Sequence, residues 1–113
     1  MNTNAITPGM LASSVIAVPP LARDAELKIC AKENAKIIRH LEDGGIRTLL
    51  YGGNAVFYHI ALAEYADTLA MLRDNAGAET TVIPSIGPAF GMSMDQAAIL
   101  RDFDFTTAMV LPA

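Results

Sequence analysis

The sequence predicts an α/β protein with parallel strands in the order β-α-β-α-β-α-β. Three observations predict it. Residues 14–18, 47–51, 81–85 and 107–111 are short apolar runs rich in β-branched side chains, as strands buried on both faces require. Between them, three stretches repeat apolar residues at helical spacing. The strand starts fall roughly 26 to 34 residues apart, room for a crossover helix between parallel strands. Four such strands make either a small open sheet or part of a barrel.

Each element carries its own signals. Residues 1–12 show no periodicity and read as a flexible arm, with one domain over 13–113. The first strand ends at Pro19-Pro20, because proline supplies no ladder donor. A helix is expected from Glu26 to Asp43, with Leu27, Cys30, Ala31, Ile37, Ile38 and Leu41 on one stripe, interrupted by Asn34. Lys28, Lys32, Lys36 and Arg39 fall on the opposite, solvated face, and Gly44-Gly45 stops the helix. The second helix is expected from Ala61 to Asp74, with Leu62, Tyr65, Ala66, Leu69 and Leu72 as its stripe. Its start lacks a Ser, Thr, Asp or Asn cap, so the preceding Gly-Asn loop is expected to satisfy its amides. Pro84 predicts a bend or lost pairing in the third strand. Ser93 with Gln96 predicts a capping box opening a third helix that reaches Asp102.

Composition narrows the function. The chain has 113 residues, 52% of them hydrophobic and 18% charged, with net charge −4. That suits one modest domain with a sizeable core, and no basic patch exists to hold a phosphate backbone, so nucleic acid is not an expected partner. Cys30 alone permits no internal disulfide or cysteine cluster and fits a reducing, cytoplasmic setting. The apolar stretch 10–21 has no basic start, is interrupted by Ser13-Ser14 and ends in two prolines; it reads as a buried strand rather than a signal peptide or membrane span.

The chain is organised around residues 49–60, LLYGGNAVFYHI. A buried strand breaks at Gly52-Gly53-Asn54, where small residues let the backbone turn and present N–H groups outward. In parallel α/β proteins ligands bind at this end of the strands.

Order, spacing and this loop resemble the N-terminal portion of the dihydrodipicolinate synthase / N-acetylneuraminate lyase family, pyruvate-using Schiff-base lyases built on a (β/α)₈ TIM barrel. The family opens with a strand ending in a Thr-Pro-Phe-like turn, here Val18-Pro19-Pro20-Leu21. A helix ending in glycine follows, here at Gly44-Gly45, and then a Gly-Thr-Thr-Gly-Glu-Phe-Tyr-Ser-Leu loop. That loop is here Gly52-Gly53-Asn54-Ala55-Val56-Phe57-Tyr58-His59-Ile60. Glu64 matches a glutamate early in the family's second helix, residues 83–87 its third strand, and residues 109–112 its fourth.

The resemblance implies a partial (β/α)₈ barrel from a class I aldolase-type lyase or synthase. Such an enzyme acts on pyruvate or a related 2-keto acid, needs no cofactor, and assembles as a homo-oligomer. It implies a substrate-binding role for Gly53 and Asn54, which stand where the family's two threonines hold the keto-acid carboxylate. Neither can relay a proton as a threonine hydroxyl does. Val56 replaces the family glutamate, and Ala113 stands at the Pro-Tyr tyrosine. The family's catalytic tyrosine and Schiff-base lysine lie on the fifth and sixth strands, beyond residue 113, so the chain reads as an inactive fragment without catalytic residues. Its own lysines, Lys28, Lys32 and Lys36, are on a polar face, whereas a Schiff-base amine must be desolvated.

Other chemical candidates are weaker. His59 follows the loop and His40 lies on a polar helix face, and two isolated histidines make no metal site. Tyr51 and Tyr58 flank the loop, and core packing is expected of Tyr58. Asp102 and Asp104 read as solvated carboxylates. Residues 87–91, Gly-Pro-Ala-Phe-Gly, lack the Gly-Lys-Ser/Thr ending of a phosphate loop and read as a turn. Two rival functions stand beside the enzyme portion. One is a non-catalytic module binding an anion at Gly52-Gly53-Asn54; the other is an interaction domain associating through its open edge.

Overall fold

A computed structural model describes residues 1–113. The elements run α1 (Pro8–Ala12), β1 (Ile16–Ala17), α2 (Ala31–Asp43), β2 (Thr48–Leu50), α3 (Leu62–Asn75), β3 (Thr81–Ile83), β4 (Ser85–Ile86), α4 (Phe90–Leu100) and β5 (Met109–Val110), with two single 3₁₀ turns at Gly53–Ala55 and Phe57–His59. All strand pairs are parallel. β2 lies between β1 and β3, and β4 pairs with β5. β3 and β4 are one strand interrupted at Pro84, whose carbonyl still accepts from the Met109 N–H at 2.9 Å. The expected break therefore occurs, and the four-strand wall continues across it.

The strands are shorter than expected, and the outermost are the least buried. Val15 is 71% exposed and Val110 64%, while Ile16 and Val18 are half-exposed. The sequence reading had these runs buried on both faces. The wall instead ends at β1 on one side and β5 on the other, so no neighbouring strand covers them. Between β1 and α2 an apolar groove of about 430 Å³ lies open, lined by Ala17, Val18, Pro19, Pro20, Ile37 and Leu41 with Lys36 and His40 at its rim.

The core lies between the wall and the helices. Leu49, Tyr51 and Val82 point to the helix side, where Ile38 of α2 and Tyr65, Leu69 and Leu72 of α3 are buried with them. Strand alternation puts Thr48, Leu50 and Gly52 on the other, inner face. Thr81 and Ile83 stand beside Thr48 and Leu50 there, and Ser85 beside Met109.

Several boundaries differ from expectation for local reasons. α2 starts at Ala31 rather than Glu26. The Asp24 carboxylate accepts from the Glu26 and Lys28 N–H groups at 2.9 Å, folding 22–30 into a small hairpin with Leu27 at φ +64°. Asn34, the polar break in the stripe, is fully buried and holds that hairpin. Its Oδ1 accepts from the Ala22 N–H at 2.8 Å, and its Nδ2 donates to the Ala22 and Cys30 carbonyls. α3 is capped by Glu64, whose carboxylate accepts from the Ala61 N–H at 3.3 Å, and not by the Gly-Asn loop. No Ser93–Gln96 capping box forms. α4 begins earlier, at Phe90, and ends at Leu100; Ser93 donates back to the Ala89 carbonyl, and buried Gln96 accepts from the Gly87 N–H at 2.7 Å.

Residues 1–12, expected as a flexible arm, make definite contacts. The Met1 ammonium donates to the Ala76 carbonyl and the Asn2 N–H to the Thr80 carbonyl at 2.7 Å. Thr7 caps α1, and the Thr81 hydroxyl reaches the Met10 sulfur at 3.7 Å. The segment thus covers the end of the wall opposite the Gly52-Gly53-Asn54 loop. No helix is long and apolar enough to cross a membrane.

Candidate functional site

The loop after β2 begins with a close approach. Gly52 is buried, and a Cβ there would stand 2.8 Å from Met109 Cε and 3.4 Å from Ser85 Oγ, so only glycine fits without displacing the methionine. The chain then makes one 3₁₀ turn over Gly53–Ala55. Its closing bonds use the Ala55, Val56 and Phe57 N–H groups, which donate to the Gly52 and Gly53 carbonyls. The first N–H groups of any helical turn have no partner within it. Here these belong to Gly53 and Asn54, both exposed at the strand ends. Val56 closes the turn at φ +58°, a left-handed conformation that is strained for a β-branched residue.

Two side chains brace the loop across the wall. Asn54 Nδ2 donates to the Val18 carbonyl at 3.1 Å, tying the loop to the end of β1. Tyr58 donates its hydroxyl to the Pro112 carbonyl at 3.0 Å, tying it to the end of β5, and its ring lies 3.9 Å from where a Gly53 Cβ would be. Tyr58, for which the sequence predicts core packing, therefore sits half-exposed on the rim.

Ser85 lies next to Gly52 on the inner face. It is fully buried, and its hydroxyl has no hydrogen-bond partner. Nothing in the sequence singled it out; its position emerges only when Pro84 shifts the pairing from β2 to β5. Tyr51 is the other buried hydroxyl without a partner. Its ring lies on the helix side against Phe57, and burial, with a smaller contribution from the Glu42 charge, pushes its pKa up out of reach of proton transfer near neutrality.

The remaining candidates lie apart from this site. His59 is exposed beyond the turn, and His40 is exposed on α2. Lys28, Lys32 and Lys36 are all exposed, and Lys36 pairs with Glu33 at 2.9 Å. None faces the inner wall. Glu64, besides capping α3, receives a two-pronged contact from Arg23 at 2.7 and 3.2 Å, and this hydrogen bonding holds its pKa below the ordinary carboxylate range. Asp102 and Asp104 are exposed and belong to no acid–base pair.

No protein-family profile matches the sequence, and no curated protein does either. Solved structures do match the fold. A 2-keto 3-deoxygluconate aldolase from Picrophilus torridus superposes with a TM-score of 0.78 at 19% identity, over 90% of this chain and 37% of that one. The N-acetylneuraminate lyase of Proteus mirabilis gives 0.80 at 17% identity, over 87% and 34%. A dihydrodipicolinate synthase from Rhodopseudomonas palustris gives 0.79 at 18% identity, over 96% and 36%. The chain spans about a third of the length of these structures. At these identities the likeness establishes the fold: a partial (β/α)₈ barrel, matching the same kinds of protein whose N-terminal portion the sequence resembles.

Proposed function

We propose that this chain forms the opening wall of a class I aldolase-type lyase or synthase acting on pyruvate or a related 2-keto acid. The observation that carries the reading is the braced turn at the strand ends. It presents the Gly53 and Asn54 N–H groups together, where a carboxylate would accept both. In such an enzyme a lysine amine condenses with the keto carbon and water leaves. The protonated imine accepts the electron pair of the carbon–carbon bond that breaks, or, in the synthetic direction, the pair of a C–H bond as its proton leaves, giving an enamine that donates that pair to the aldehyde carbon. The exposed positions of Lys28, Lys32 and Lys36 support an amine supplied from outside these 113 residues. Gly53 and Asn54 would hold the substrate carboxylate, and no residue of this chain would be the nucleophile. The setting we assign is cytoplasmic, with a homo-oligomeric parent enzyme.

Borohydride reduction in the presence of pyruvate, read by intact-mass spectrometry, tests the assignment of the amine. The chain alone is expected to gain no covalent adduct. A reduced adduct mapped to Lys28, Lys32 or Lys36 would overturn it.

A second reading has its own support. Twelve buried hydrophobic residues between Ile38 and Leu111 form one core cluster within the chain. A free-standing α/β module could use the same turn to hold an anion without catalysis.

A further inference from the structure

We infer that Ser85 is a positioning residue that reads the 2-oxo group of the ligand; the inference rests on the carboxylate-binding reading of the neighbouring turn. The turn offers an anion two backbone N–H groups and the Asn54 amide, but one of that amide's hydrogens is committed to the Val18 carbonyl. It carries no hydroxyl. Simple carboxylates and 2-keto carboxylates would therefore look alike to Gly53 and Asn54 by themselves.

Ser85 supplies what the turn lacks. Its side chain is fully buried, its Oγ has no partner, and it stands 3.4 Å from the Cβ position of Gly52, the residue that begins the turn. Its backbone is fixed independently, because its carbonyl accepts from the Tyr65 hydroxyl at 2.9 Å. A buried hydroxyl without a partner costs folding free energy, and a ligand oxygen would relieve that cost. A carboxylate seated on the Gly53 and Asn54 amides would direct its adjacent carbon down the inner face, towards Ser85. The hydroxyl would then donate to the 2-oxo oxygen. Met109 is the strand partner of Ser85, and its end lies 2.8 Å from the same Gly52 Cβ position. An unbranched thioether side chain can swing aside to admit a three-carbon ligand.

The test is a titration of the chain with pyruvate and, separately, with propionate, which keeps the carboxylate and chain length but lacks the oxo group. Affinities are read from the backbone amide resonances of Gly53 and Asn54. The wild-type chain is expected to prefer pyruvate by about fivefold, the worth of one hydrogen bond. Ser85→Ala is expected to abolish that preference while leaving propionate affinity unchanged. The variant removes an orphan hydroxyl and little volume, so its unfolding midpoint is expected to stay at or above that of the wild type. A pyruvate preference that survives in Ser85→Ala would overturn the role of Ser85 and leave the carboxylate cradle intact. If neither anion moves the Gly53 and Asn54 resonances, the cradle itself fails and this inference fails with it.

Discussion

Asn34 holds three hydrogen bonds with one buried side chain, two of them to a residue twelve positions earlier. Truncation would leave the half-buried Ala22 N–H unpaired. Asn34→Ala is therefore expected to lower stability by about 2–3 kcal/mol in urea unfolding, against a few tenths for an exposed position on the same helix. The sequence shows Asn34 as a break in an apolar stripe, and nothing local explains it. Its partner is a backbone, which leaves no trace in residue identity. Gly52, Gly53 and Asn54 are the contrasting case. Small residues after an apolar run announce a turn through their own conformational freedom, and the turn lies where the run ends. Ser85 was illegible for the same reason as Asn34, since its significance depends on Gly52 and Met109 from two other strands.

At the scale of elements, the α3 start and the 22–30 hairpin share one carboxylate. Glu64 caps the helix and anchors Arg23, so its ionisation is linked to both. The Arg23 hydrogen bonds chiefly lower its folded pKa, with burial opposing and the Ala61 N–H assisting. A folded pKa below the unfolded value stabilises the fold above the unfolded value, and that contribution is lost as pH falls through the folded one. Stability measured by urea unfolding from about pH 7 down to about pH 3 is expected to decline less steeply in Glu64→Gln than in the wild type across the carboxylate range. Parallel acid limbs in the two proteins would show that the pair contributes nothing. The order of elements was legible because apolar periodicity reports burial directly. Helix starts were not, because capping by Asp24 and Glu64 diverts amides according to geometry, and periodicity does not record it. The strand ends likewise shortened where no neighbour was present to pair with them.

At the scale of the molecule, a parallel wall carries the loop at one end and the α1 segment at the other, and it is open along both sides. The loop is tied to the ends of both outer strands, through Asn54 to Val18 and Tyr58 to Pro112. In the proposed reading that bracing preorganises the turn for an anion despite the open edges, which reduces the ordering cost of binding. The resemblance seen in the sequence and the fold seen in the structure agree on a partial barrel, while the proposed function rests on two N–H groups. The most direct measurement is the response of those two amides to pyruvate in an isotope-labelled sample. Saturable shifts centred on Gly53 and Asn54 are expected, with His40 and Ile37 in the groove beside β1 unmoved. Saturable shifts centred on that groove, with Gly53 and Asn54 silent, would contradict the proposed function.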